Sequence, residues 1–158
     1  MSGQGQTKLS SLRHVTFLGG GAMGNALAEG LVTSGVLPKG CRISISDPYT
    51  QPAAAKKHPN CVTAMTDNIK AIESSDLIFL CVKPNLIVPV MKQVAPHLKG
   101  SELIVSIAAG VQLSVVESIL QKKQKVLRLM PNIPALVHCM AGGICAGKHA
   151  TTEDVQFI

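Results

Sequence analysis

Three glycines carry the spacing that points most directly to chemistry. Gly19, Gly21 and Gly24 satisfy G-x-G-x-x-G, a pattern that has a mechanism only where it joins a strand to a helix. Here His14-Val15-Thr16-Phe17-Leu18 precedes it as an apolar strand, and an amphipathic run from Asn25 to Ser34 follows. In that setting Gly19 permits the tight turn out of the strand. Gly21 removes a side chain so that a pyrophosphate can approach the backbone, and Gly24 lets the helix pack against the sheet. The anion would lie on the unpaired N–H groups of the first helical turn, at the positive end of the helix dipole. The competing reading is a glycine-rich turn that binds nothing.

Four further positions have chemistry within reach of such a site. Asp47 follows an alternating strand, Arg42-Ile43-Ser44-Ile45-Ser46, and lies 23 residues after Gly24. That spacing suits an acidic residue that accepts the ribose hydroxyls and repels a 2′-phosphate, which favours NADH over NADPH. Asp47-Pro48 could equally be a turn whose carboxylate caps the local backbone. Lys83 leaves a nearly continuous apolar run, Asp76 to Val82, and Pro84 forces it to be extended. Ala108-Ala109-Gly110 ends a second such run, Glu102 to Ile107, where small residues leave space for a flat ring or simply for close chain packing. Pro131-Asn132-Ile133-Pro134 is a stiff loop that either presents the Asn132 amide to a ligand or serves only as a turn.

The elements that must position these residues alternate between strand and helix. Continuous apolar runs read as strands buried on both faces of a parallel sheet. Gly35 can end the first helix. Thr66 or Asp67 can cap a helix towards Ile72 and Glu73. A helix runs over 87–98, with Pro89 in its first turn and Pro96 breaking it late. Ser114 with Glu117 reads as a capping box. Lys125 to Met130 is a further strand, Gly142 to Ala146 can be a last one, and Thr151-Thr152-Glu153-Asp154 starts a helix. The expected architecture is α/β, a mostly parallel sheet with right-handed crossovers. Residues 1–13 read as a disordered leader, 14–150 as the domain, and 151–158 as the start of a truncated helix.

Composition narrows the partners. The chain has 158 residues, 46% of them hydrophobic and 15% charged, enough for one domain with a real core. No run reaches the roughly 18 apolar residues of a membrane span. The net charge is +6, but the densest basic segment, Lys122, Lys123, Lys125 and Arg128, lacks interleaved aromatics, and one Tyr, three Phe and no Trp leave few stacking platforms for bases. Neither nucleic acid nor a membrane is the expected partner. Cys41, Cys61, Cys81, Cys139 and Cys145 form no C-x-x-C pair, which fits reduced thiols in the cytoplasm. Cys139, Cys145, His138 and His149 match no common zinc spacing, so no metal is expected. A weak mitochondrial presequence in Met1 to Leu12 is the alternative to a plain leader.

Several separated motifs together resemble the pyrroline-5-carboxylate reductases: Leu18-Gly19-Gly20-Gly21-Ala22-Met23-Gly24, Asp76 through Val82-Lys83-Pro84, Ser106-Ile107-Ala108-Ala109-Gly110, and Arg128-Leu129-Met130-Pro131-Asn132-Ile133-Pro134. The resemblance runs from Val15 to Ile158. It implies a Rossmann-like, doubly wound domain that binds NAD(P)H for the reduction of 1-pyrroline-5-carboxylate to L-proline. By that resemblance Leu18 to Met23, with Gly24, cradle the pyrophosphate. Asp47 sits where the family reads the adenine ribose, Ser46 before it is a further cofactor-binding position, and Asn68 lies at the adenosine end. Cys81, Val82, Lys83 and Pro84 line the cofactor cleft, Ile107, Ala108 and Ala109 flank the nicotinamide, and Met130, Pro131, Asn132 and Pro134 form the wall facing substrate. No catalytic residue is assigned.

The chain departs from the family in three respects. Ile133 stands where Thr is common, and Asp47 stands where many members have a smaller or phosphate-tolerant residue. The helical C-terminal domain, through which members form homo-oligomers, is expected to be absent. Other readings are a related β-hydroxyacid dehydrogenase or deazaflavin-dependent NADP reductase, and a dinucleotide-binding module without catalysis.

Overall fold

The computed structural model describes residues 9–120, 123–137 and 139–158, and these build one sheet of seven strands. Six are mutually parallel: β1 (His14–Leu18), β2 (Arg42–Ser46), β3 (Val62–Met65), β4 (Leu77–Leu80), β5 (Leu103–Ser106) and β6 (Lys125–Met130). β7 (Gly143–Ala146) returns antiparallel along β6. The helices are α1 (Ala22–Thr33), α2 (Ala53–Lys57), α3 (Asn68–Ile72), α4 (Ile87–Val94), α5 (Leu113–Glu117) and α6 (Thr152–Phe157). Across the sheet the order is β3-β2-β1-β4-β5-β6-β7, so the winding reverses between β1 and β4. In a doubly wound sheet that reversal leaves a crevice outside the carboxyl ends of the strands.

Period-two alternation sorts each strand between two cores. Val15, Phe17, Ile43, Ile45, Phe79 and Val105 face one side, where α1, α2 and α6 supply Leu27, Ala54 and Val155. Leu18, Ile78, Leu80, Ile104 and Val126 face the other, against Ile72, Ile87, Met91 and Val116 of α3, α4 and α5. Phe17 and Phe79 are register partners on β1 and β4 and stack with ring centroids 4.8 Å apart. The polar members of β1 also belong to the second face. Thr16 Oγ1 donates to the Ala71 carbonyl at 2.7 Å, and His14 Nε2 meets Ser44 Oγ at 2.8 Å. Burial holds the His14 imidazole below its ordinary pKa, so the ring is a neutral, hydrogen-bonded core group.

The registers also align the strand ends. Leu18 pairs with Ser46 and with Leu80, and Leu80 pairs with Ser106, so the carboxyl edge on which the glycine turn sits is even across four strands.

Two expectations are corrected here. Of the leader expected over 1–13, residues 1–8 lie outside the described residues, but Leu9 and Leu12 fold onto the core, with Leu12 buried and its N–H bonded to the Leu9 carbonyl. Apolar contact there outweighs the polar composition. The Ser114–Glu117 capping box does not form. Gln112 is the N-cap without a side-chain bond, and Glu117 Oε1 instead accepts from the Lys148 N–H at 2.6 Å, tying α5 to the segment after β7. The capping box at Thr151, with Asp154, is complete. Asp67 caps α3 through the N–H groups of Ile69 and Lys70. His138 and Lys122 lie outside the described residues.

Candidate functional site

The turn between β1 and α1 uses its glycines for three different reasons. Gly19 has φ +110°, and a Cβ there would lie 2.6 Å from the carbonyl carbon of Cys81; only glycine fits. At Gly24 a Cβ would collide with the Gly19 carbonyl oxygen and come within 3.2 Å of Cys81 Cβ, so its absence lets α1 approach β1 and β4. Gly21 is unlike both. It is the N-cap of α1 in an extended conformation, φ −71° and ψ −176°, and a Cβ there would meet no atom within 4 Å. The protein fills no space at Gly21; it leaves that space facing the cleft.

The first helical hydrogen bond runs from the Asn25 N–H to the Gly21 carbonyl at 3.0 Å. The N–H groups of Gly21, Ala22 and Met23 therefore precede the α1 ladder. No side chain caps them, and the first turn contains no acidic residue. A helix of 12 residues directs its dipole at the same place.

Asp47 adopts the turn role that the sequence left open. Its Oδ1 accepts from the Tyr49 and Thr50 N–H groups, both at 2.9 Å, and its Oδ2 from the Gly20 N–H at 2.8 Å. Partial burial opposes ionisation, but the amides of Tyr49, Gly20 and Thr50 together outweigh it and hold the carboxyl below its ordinary pKa. Asp47 thus remains an anion at the rim, and one turn N–H, that of Gly20, is already committed to it.

The turn opens on a cleft of about 750 Å³. Gly19, Gly21, Ser46, Asp47, Asn68, Cys81, Val82 and Lys83 all line it. Ser46 Oγ is buried without a hydrogen-bond partner, and an orphan hydroxyl in such a wall fits a polar ligand that would satisfy it. Burial pushes the Cys81 thiol well above its ordinary pKa, so it acts as a neutral wall atom. The cleft residues that sequence reasoning missed include Tyr49, Thr50 and Gln93. Tyr49 is 89% exposed, and as the chain's one tyrosine beside Asp47 it was the available signal. Gln93 accepts from Asn68 Nδ2 at 2.8 Å, a pairing between α3 and α4 that periodicity does not announce.

Other expected site residues stand apart from this cavity. Leu18 is wholly buried beneath the turn, and Gly20 faces Asp47. Pro84 begins a short 3₁₀ turn, 84–86. Ile107, Ala108 and Ala109 follow β5 at the same sheet edge, with Ala108 buried in the second core. Met130 ends β6 and Pro131, Asn132 and Pro134 follow it, outside the cleft wall, where Asn132 Oδ1 accepts from the Ala141 N–H at 3.2 Å. That bond is turn architecture. The Ile133–Val137 turn that follows packs against α1. Among the described residues no group of three or more His, Cys, Asp or Glu side chains could hold a metal ion, and no helix is long and apolar enough to cross a membrane.

A sheet ordered 3-2-1-4-5-6 with a glycine turn at its switch point defines the dinucleotide-binding α/β class. Within it, the family described as NADP oxidoreductase, coenzyme F420-dependent, matches residues 14–110, and the chain belongs to that family. Among curated relatives, a pyrroline-5-carboxylate reductase of Methanosarcina acetivorans is 36% identical over 144 residues, covering 90% of this chain and 52% of its own length. Among solved structures, a pyrroline-5-carboxylate reductase from Coxiella burnetii superposes with a TM-score of 0.82 at 27% identity, over 92% of this chain and 54% of that one. The Plasmodium falciparum pyrroline carboxylate reductase, solved with NADP bound, gives 0.79 at 25% identity, over 94% and 53%. The chain spans about half the length of the relatives it matches.

Proposed function

We propose that this chain binds a pyridine dinucleotide and forms the cofactor half of an enzyme that reduces 1-pyrroline-5-carboxylate to L-proline. The observation that carries the proposal is the space left at Gly21, beneath which the N–H groups of Gly21, Ala22 and Met23 precede the α1 ladder. These amides would hold the diphosphate. Ser46 Oγ would bond the adenosine ribose, Asn68 would stand at the adenosine end, and Val82 and Lys83 would border the path to the nicotinamide. When bound, the cofactor supplies the hydride. The residues of this chain bind and orient it, and orientation provides much of the acceleration in such reactions. Ala108 and Ala109 would flank the ring, and Met130, Pro131, Asn132 and Pro134 would form the side towards substrate. The names of the relatives support the reaction, and their greater length supports a site completed by residues outside this span. Homo-oligomerisation through that remainder belongs to the same proposal, as does a cytoplasmic location.

The substrate is tested by following oxidation of reduced nicotinamide with 1-pyrroline-5-carboxylate and, separately, by offering 3-hydroxyacids with the oxidised cofactor, using the protein at its native length. The proposal expects turnover with the cyclic imine alone. It is overturned by turnover with the hydroxyacids instead. The 158-residue span should bind the cofactor and form little proline.

The cofactor preference proposed here is for NADH, because the anionic Asp47 lies at the rim where a 2′-phosphate would come. Its neutral isostere Asp47→Asn should raise NADPH affinity relative to NADH by about five- to tenfold, the effect of removing one close like charge. Parallel titrations of both nucleotides check it; an unchanged ratio would show that the carboxylate has no part in the preference.

A further inference from the structure

Asn25 is half-buried on α1, and its side-chain amide makes three hydrogen bonds, two to the glycine turn and one to α2. Its Nδ2 donates to the Gly20 carbonyl and, at 3.0 Å, to the Gly21 carbonyl. Its Oδ1 accepts from the Ala54 N–H at 2.8 Å. Ala54 lies in the first turn of α2, whose N-cap, Pro52, offers no side-chain bond. The amide of Asn25 is therefore anchored at one end by α2 and grips the turn with the other.

We propose that Asn25 is a positioning residue for diphosphate binding; the role rests on the cofactor reading above. A peptide unit is planar and trans, so its C=O and N–H point in opposite directions. The Gly20 carbonyl shares a plane with the Gly21 N–H, and the Gly21 carbonyl shares one with the Ala22 N–H. By holding both carbonyls, Asn25 fixes both N–H groups pointing away from itself, on the side where Gly21 lines the cleft. The preceding peptide is held from its other side, through the Gly20 N–H bonded to Asp47 Oδ2. Glycine backbones are otherwise free to rotate, and ordering them on binding would weaken the ligand. The two side chains set that order beforehand.

The test compares two probes, NADH and adenosine, titrated by NMR against the wild-type chain and Asn25→Ala. Adenosine has no diphosphate. Losing the alignment of one charge-assisted hydrogen bond should weaken NADH by about tenfold, with adenosine changed less than about twofold and the melting temperature lowered by only a few degrees. Asn25→Asp, which keeps the shape and the acceptor for Ala54 but sets an oxygen against the two carbonyls, should weaken NADH at least as much. Unchanged NADH affinity in both variants overturns the role, and so does an equal loss for NADH and adenosine. Failure of the wild-type chain to bind NADH would overturn the cofactor reading, and this role with it.

Discussion

Gly21→Val should abolish tight dinucleotide binding while leaving the fold intact. The backbone at Gly21 is extended, with φ −71°, so a β-branched residue adopts it without strain. No atom lies within 4 Å of the Cβ position, so the branch point of the new side chain enters open space. The methyl groups would occupy the space through which a diphosphate reaches the N–H groups of Gly21, Ala22 and Met23. Losing about two charge-assisted hydrogen bonds corresponds to roughly 3 kcal/mol, or on the order of 100-fold in affinity. Calorimetric titration with NADH and NADPH, beside a thermal melt, checks both halves. Undiminished binding would mean that the nucleotide approaches by another route. A collapsed melting temperature would mean that Gly21 is structural.

Gly24→Ala, one turn along the same helix, should do the opposite. The added methyl collides with the Gly19 carbonyl oxygen and presses on Cys81 Cβ at 3.2 Å, and neither neighbour is free to yield. α1 would have to lift from β1 and β4. Overpacking of this kind costs about 3 kcal/mol, which lowers the melting temperature by roughly 6–12 °C for a domain of this size. A thermal or denaturant melt without ligand reads the effect directly. An unchanged midpoint would show that the helix withdraws at little cost and that the third glycine of the motif is dispensable to packing. Two glycines three residues apart thus carry separable roles, one in binding and one in the fold.

Much of this was visible in the chain itself, for definite reasons. The strand–glycine turn–helix unit is local, so its parts could be read from spacing, and buried parallel strands betray themselves as continuous apolar runs such as Leu77–Leu80. What was not legible depends on contacts between distant segments. Asp47 could be read as a ribose ligand or a turn cap; its bonds to the Tyr49 and Thr50 N–H groups are local, but the approach of the Gly20 N–H, 27 residues away in sequence, could not be read from spacing. Glu117 sits at the right interval for a capping box, but Lys148 competes for it from beyond β7. Asn25 opens the amphipathic run after the turn, and its grip on the turn is not legible there because its anchor, Ala54, arrives with α2. Leu9 and Leu12 were hidden by the polar residues around them. Ile107–Ala109 and the Met130–Pro134 loop could be placed on the carboxyl side of the sheet, yet their relation to a ligand rests on family resemblance more than on the walls of the cleft.

The central claim is that the amides at the start of α1 hold the diphosphate, and backbone amide NMR during titration with NADH tests it most directly. The account predicts that the Gly21, Ala22 and Met23 resonances shift progressively with ligand, while Gly20, whose N–H already donates to Asp47, shifts far less. Saturable binding that leaves those three amides in place and moves another part of the chain would contradict it.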